Sequence, residues 1–242
     1  MARFRPGWLA SAAALAAVVL LAGLGTWQVQ RLQWKRALLA EQNARIGEPP
    51  LALPDALARG EARAWRRVYA AGRYDAPRSI LVHPVTRERR DGARVLTPLL
   101  LEEPSRPAGG AAAVLVDRGW IPFAEIEGFL DHDRPTTPAR VEGILYELDL
   151  ADAAPAAGEA PRVHWVRFDP ARHAAQLQAQ LPYALLPVLI QRGEDGSEAL
   201  PLGGFERPRS RVDHRSYATT WYGMAAVAVA VWVAFGVHRA RG

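Results

Sequence analysis

Two uncharged stretches bracket a chain whose middle breaks into short runs. From Trp8 to Trp27, and again from Ala218 to Val237, the chain carries no Asp, Glu, Lys or Arg. Each stretch makes about 30 Å of helix, the thickness of a bilayer core. The first has Trp8 and Trp27 at its ends, where interfacial belts place indoles. Its length favours a retained transmembrane helix, with a cleaved signal as the alternative because Ala22, Gly23 and Gly25 suit a peptidase. Gln28 to Asn43 continues it as a polar helix in which Trp27, Arg31 and Trp34 fall at i, i+4, i+7. That face either anchors at headgroups, with Arg31 snorkelling to them, or forms a wall for a partner or cofactor. Gly47-Glu48-Pro49-Pro50 ends the helix.

Between Trp65 and Arg192 the period shortens, and β-rich runs alternate with Pro, Gly and Asp punctuation. Strands are expected over Arg66–Tyr74, Ser79–Thr86, Arg94–Leu101, Ala113–Trp120, Arg140–Glu147, Val163–Phe168 and Leu185–Gln191. Turns are expected at Asp75-Ala76-Pro77, Arg90-Asp91-Gly92 and Pro104–Gly110, with a solvated loop over Asp149–Pro161. One helix, Pro170–Gln180, follows Asp169 as N-cap. The fold class is a membrane protein of α+β type, in which two transmembrane helices flank an antiparallel, barrel-like β domain. The expected division is a tail over 1–7, a span over 8–27, the extracytoplasmic domain over 28–217 with a membrane-proximal helix at 28–43, a span over 218–237 and a tail over 238–242.

Charge sets the orientation. Arg3 and Arg5 precede the first span, and Arg239 and Arg241 follow the second. The positive-inside rule then puts both termini in the cytoplasm and the middle in the opposite compartment. A mean hydropathy of −0.09 excludes a polytopic bundle. The net charge of +5 is spread over scattered arginines without an aromatic-interleaved basic stripe, so nucleic acid is not an expected partner. Cysteine is absent, which removes disulfides, thiolate nucleophiles and iron–sulfur ligation.

The search for catalytic constellations is nearly empty, and no enzyme activity is expected. The histidines, His83, His132, His164, His173, His214 and His238, form no His-Glu-x-x-His pattern. Asp131-His132-Asp133 reads as an acidic surface loop or a weak metal site. Asp117-Arg118-Gly119-Trp120-Ile121-Pro122 reads as a strand ending in a sharp turn, with an Arg–Asp pair and a packed indole. Neither a phosphate-cradling loop nor a nucleophile elbow occurs; Arg192-Gly193-Glu194-Asp195-Gly196 is a turn. His214 is different, because it sits one turn outside the second uncharged stretch. With Asp213 as N-cap, His214, Tyr217, Ala218 and Trp221 share one helix face. An imidazole there can hydrogen-bond headgroups or Tyr217, or ligate the metal of a flat apolar macrocycle, and the residues alone leave both open.

Three segments in this order carry a family resemblance. They are the run Leu24-Gly25-Thr26-Trp27-Gln28-Val29-Gln30-Arg31-Leu32-Gln33-Trp34-Lys35, the turn Arg118-Gly119-Trp120-Ile121-Pro122, and the run His214-Arg215-Ser216-Tyr217-Ala218-Thr219-Thr220-Trp221-Tyr222-Gly223. Together they resemble the Surfeit locus protein family, the assembly factors of cytochrome c oxidase. The resemblance implies a two-span protein of the bacterial inner membrane that binds heme a and aids its insertion into oxidase subunit I. It implies as partners subunit I, the heme a synthesis machinery and the lipid bilayer. The family's heme-ligating histidine maps to His214, and Tyr217 and Trp221 match its motif. Trp27 is then a further wall, and Arg31 and Arg215 are the expected partners of heme propionates. Asp213 and Arg215 depart from the Asn and Leu that family members often carry. Two other classes remain: a membrane-anchored scaffold for oxidase assembly without heme, and a bitopic enzyme with a polar pocket in the β domain.

Overall fold

A computed structural model describes residues 6–103, 111–133, 137–150, 164–194, 196, 198–205, 208 and 214–240, except the side chains of Ala171 and His214. The chain divides into two compact units, one of residues 1–42 with 208–242 and one of residues 43–207.

The first unit is a helix pair. α1 runs unbroken over Trp8–Gly47, 40 residues, so the uncharged stretch and its polar continuation are one rod of about 60 Å. It stops at Gly47, short of the two prolines, which lack the N–H a helix needs. The other helix, His214–Arg239, contains the second uncharged stretch. The two run antiparallel: Ser11 Oγ accepts a hydrogen bond from Trp232 Nε1 (3.2 Å), and Thr26 Oγ1 shares one with Tyr222 OH (3.0 Å). Ser11, Ala14, Val18, Leu21 and Gly25, three and four residues apart, form the covered side of α1. Ala218, Trp221, Ala225, Ala228 and Trp232 do the same on its partner. This is the repeat of a left-handed helix pair, with small residues that let backbones approach. Gly25 is buried because the Tyr222 ring lies against it, where a Cβ would collide. Leu9, Leu15, Val19, Leu20, Val227 and Val231 face outward, and both helices are long and apolar enough to cross a membrane.

The second unit is built on β1 (Leu51–Ala52), α2 (Leu53–Ala58), β2 (Arg67–Tyr74), β3 (Ile80–Arg87), β4 (Arg90–Leu101) and β5 (Ala113–Pro122). After these come α3 (Ile126–His132), β6 (Ala139–Glu147), β7 (His164–Val166), α4 (Pro170–Gln178) and β8 (Leu185–Arg192), and the C-terminal helix is α5. The ladders β2–β6–β8–β5–β4 close on themselves through β2–β4, where Gly72, Arg73 and Tyr74 pair with Leu101, Leu100 and Leu99. The result is a five-stranded barrel, extended by β3 and β7 at one side and by β1 at the other.

The sequence had suggested a purely antiparallel sheet, but β5–β8 within the barrel and β1–β2 and β3–β7 at its sides are parallel ladders. The expected β3–β4 turn also moves. It falls at Glu88 and Arg89, both with positive φ (50° and 64°), and Arg90-Asp91-Gly92 belongs to β4. Two-residue hairpins need this left-handed backbone, but their usual Asn-Gly signal is missing here, so the sequence pointed too far along. α2, α3 and β1 were not anticipated, being too short for periodicity to register. The expected Pro104–Gly110 loop and most of the Asp149–Pro161 loop lie outside the described residues.

Val68, Ala70, Leu99, Val114, Val116, Val141, Leu145, Val188 and Ile190 fill the barrel, and Leu53 and Ala56 of α2 close one end. A second cluster lies outside it, where Ile80, Leu96, Leu115 and Leu189 meet Trp165 of β7 and Ala174 and Leu177 of α4. A third packs Leu81, Ala93, Val95 and Ile121 under Ile126 of α3. β5 lies between the barrel interior and the outer clusters, so Ala113 through Ile121 are all buried. This explains its lack of alternation.

Candidate functional site

The two outer family-like segments meet at one end of the helix pair. Thr26 is level with Tyr222, and the helices are antiparallel. Eight residues further along α1 stands Trp34, and eight residues back along α5 stands His214. Arg31 therefore runs level with the turn that holds Tyr217 and Ala218, whereas Trp27 lies about 6 Å deeper, near Trp221.

Each nominated side chain has a definite setting. The Arg31 guanidinium lies 4.2 Å from the centre of the Trp34 ring, a cation–π contact that holds an exposed charge against a flat surface. Trp27 and Tyr217 are each 55% exposed, so both leave a ring face open. Trp221 is half-buried in the seam beside Ala218, and Arg215 is exposed. His214 is the first residue of α5; its side chain and the expected N-cap Asp213 lie outside the described residues. The expected shared face is thus split: Ala218 and Trp221 join the helix seam, while Tyr217 stands free of it. Sequence reasoning missed Gly25 and Tyr222 as the contact that sets the register. It placed Trp34 on a face that anchors or walls a cofactor, but did not name it among the cofactor-binding residues. The signal for both was present, since all three residues lie inside the quoted segments.

The central segment does a different job. Between the pairs Val95–Gly119 and Leu96–Asp117 the register slips by one, so Arg118 is the extra residue of a β-bulge. The strand continues through Pro122 rather than ending in the expected sharp turn. Gly119 has φ +127°, and Leu202's carbonyl oxygen occupies the place a Cβ would take. Asp117 and Arg118 do not pair with each other. Arg118 donates to both carboxylate oxygens of Asp133 (2.5 and 3.0 Å) and lies 4.5 Å from the Tyr74 ring centre. Asp117 pairs with Arg94 Nε (2.6 Å) and accepts from the Gly119 N–H (3.1 Å). Burial pushes the Asp117 carboxyl above its usual range, and Arg94 only partly opposes that. Trp120 Nε1 donates to Val85 O (2.9 Å), and the Trp120 backbone bridges to Leu202. The segment is a structural hub in which long-range ion pairs and a packed indole tie β5 to its surroundings.

Asp131 and His132 end α3 rather than lying in a loop, and Asp133 is Arg118's partner. Among the described residues no group of three or more His, Asp or Glu side chains converges on a metal position. One cleft of the β unit, about 700 Å³, is bordered by Arg67, Arg140, Arg192, Glu142 and Glu194. Its polar groups are largely engaged: Arg67 pairs with Glu142, Arg140 stacks on Tyr69, and Arg192 donates to Pro201 O.

Comparison with known proteins draws these segments together. The model of the SURF1 family matches residues 15–226, a range that includes all three. The SURF1-like protein of Monosiga brevicollis is 31% identical over 237 residues, covering 91% of this chain and 85% of that protein. Surfeit locus protein 1 of Mus musculus is 29% identical over 241 residues, with 90% and 72% covered. Surfeit locus protein 1 of Homo sapiens is 27% identical over 230 residues, with 87% and 72% covered.

Proposed function

We propose, from the premise that this chain belongs to the SURF1 family, that it is a membrane-anchored assembly factor of cytochrome c oxidase. Its cargo is heme a, held at the end of the helix pair for insertion into oxidase subunit I. The observation that carries this reading is the antiparallel register, which puts the Thr26–Trp34 segment and the His214–Trp221 segment at one end of one helix pair.

The residues suit such a cargo. His214 supplies an imidazole for the iron, the open faces of Trp27 and Tyr217 supply apolar walls, and Arg31, braced on Trp34, supplies a cation for propionates. Arg215 is a second cation one residue from the ligand. When bound, the heme supplies an open iron coordination position and an acidic edge. A single exchangeable ligand suits delivery, because a carrier must release what it holds.

The helices cross the membrane once each. About 20 residues of α1 span the bilayer, and the remaining polar half projects beyond it. Gly7 lies beside the Arg239 side chain, so the two ends of the pair sit together, with Arg3, Arg5, Arg239 and Arg241 on the cytoplasmic side. The β unit then lies on the other face of a bacterial inner membrane. There it meets subunit I and receives cargo from the heme a synthesis machinery. The role is binding rather than turnover.

The test is an optical spectrum with extracted-pigment analysis of detergent-purified protein from cells that make heme a, wild type beside His214→Ala. Stoichiometric heme a in the wild type, lost or spectrally altered in the variant, is the expected result. Colourless wild-type protein would leave a scaffold for oxidase assembly without heme.

A further inference from the structure

Two histidines outside the helix pair stand where nothing in the proposed function needs them. In the parallel β3–β7 ladder, Leu81 pairs with His164 and His83 with Val166. Side chains two residues apart point the same way, so His83 and His164 are diagonal neighbours on one face of the sheet. Their ring centres are 5.5 Å apart and the planes meet at 70°. Phe123 closes the other side of His83 at 6.1 Å, edge to face. His164 is exposed and His83 half-exposed, so the pair opens to solvent.

We propose that His83 and His164 form a two-imidazole site for a divalent transition-metal ion. The spacing is the argument. A metal bound at ~2.0–2.1 Å to a ring nitrogen lies roughly 3.2 Å from that ring's centre, and two imidazoles at a tetrahedral angle then place their centres about 5.2 Å apart. The observed separation differs by a few tenths of an ångström, which a small χ1 adjustment absorbs. Both histidines sit on paired strands, and Arg167 N–H donates to His83 O (3.3 Å) just past β7, so the backbones are already fixed in register. The described residues supply two ligands, so water completes the shell and the ion remains exchangeable. Imidazole donors select Zn²⁺, Ni²⁺ or Cu²⁺ and reject Mg²⁺ and Ca²⁺, which prefer oxygen.

The experiment is calorimetric titration of the whole detergent-purified chain with Ni²⁺ and with Zn²⁺, alongside Cu²⁺ electron paramagnetic resonance. Wild type is compared with His83→Asn and His164→Asn, with His132→Asn as a control for the other surface histidines. The expected result is a saturable site weakened at least about tenfold in each single variant and unchanged in the control. Copper bound there shows hyperfine coupling to two nitrogens in the wild type and to one in His164→Asn. His164 is exposed, so its variant tests the site even where His83→Asn fails to fold. An affinity that His164→Asn leaves unchanged overturns the proposal and leaves the two rings as a packing contact. Equal binding of Mg²⁺ overturns it as well.

Discussion

The helix pair and the barrel unit hold together by different means. Along the helix seam the described contacts are small and aliphatic side chains, two tryptophans, a glycine under a tyrosine ring and the Thr26–Tyr222 and Ser11–Trp232 hydrogen bonds. In the barrel unit, three apolar clusters surround strands tied by buried ion pairs, with Asp117 and Arg118 both under 10% exposed. A seam of that kind fixes register with little apolar burial and leaves aromatic faces free for another molecule. The barrel spends its aromatic and charged residues on itself: Trp120 and Arg118 are as fully engaged as Trp27 and Arg31 are open.

The contrast breaks most sharply at Arg118. Arg118→Ala removes the two-pronged Arg118 contact from the largely buried Asp133 carboxylate, so the barrel unit is expected to lose about 3–5 kcal/mol. The thermal transition followed by circular dichroism is expected to fall by on the order of 10 °C. Asp133→Ala is expected to cost about as much, and the double variant much less than the sum. A smaller loss, about 2–5 kcal/mol, is expected for Leu115→Ala, which opens a cavity between the barrel and α4. Neither change is expected to alter the helix seam. The seam has its own probe, because the natural chain has no cysteine. A Ser11→Cys, Trp232→Cys pair, whose backbones the indole holds apart, is expected to be bridged by a short bifunctional thiol reagent, and adding Gly25→Leu to reduce the yield by forcing the Tyr222 ring away, at a cost of about 1–3 kcal/mol.

The smallest expected effect is a pH slope. Burial holds the folded Asp117 carboxyl above its ordinary value of 3.8, so the folded chain holds that proton more tightly than the unfolded one. Its stabilising share is complete below pH 3.8 and is lost as pH rises through the folded value. Asp117→Asn lowers stability overall by stranding Arg94 and removes that share of the slope. Melting temperature against pH for the two proteins measures it; identical slopes would count against the burial of this charge.

The helices and strands were legible to different depths. Helix α1 could be read end to end because its uncharged run, polar continuation and Gly-Glu-Pro-Pro stop are consecutive. Seven of the strands were anticipated within a few residues, since Val-, Leu- and Ile-rich runs bounded by Pro, Gly and Asp are local signals. The Glu88–Arg89 turn was misplaced because neither residue announces a left-handed backbone. The candidate site was legible as two segments, but not as a place.

By itself the sequence determined what local patterns can specify: two membrane-length helices, a β-rich middle, the absence of cysteine chemistry and the segments that carry the family likeness. Only the tertiary structure decided the parallel β5–β8 ladder, the closure of the barrel, the partners of Asp117 and Arg118, and the level at which Trp34 faces the start of α5. The physical reason is sequence distance. Periodicity and punctuation act over a few residues. The contact between Thr26 and Tyr222 joins positions 196 apart, and it depends on which surfaces remain to be buried once each element has formed.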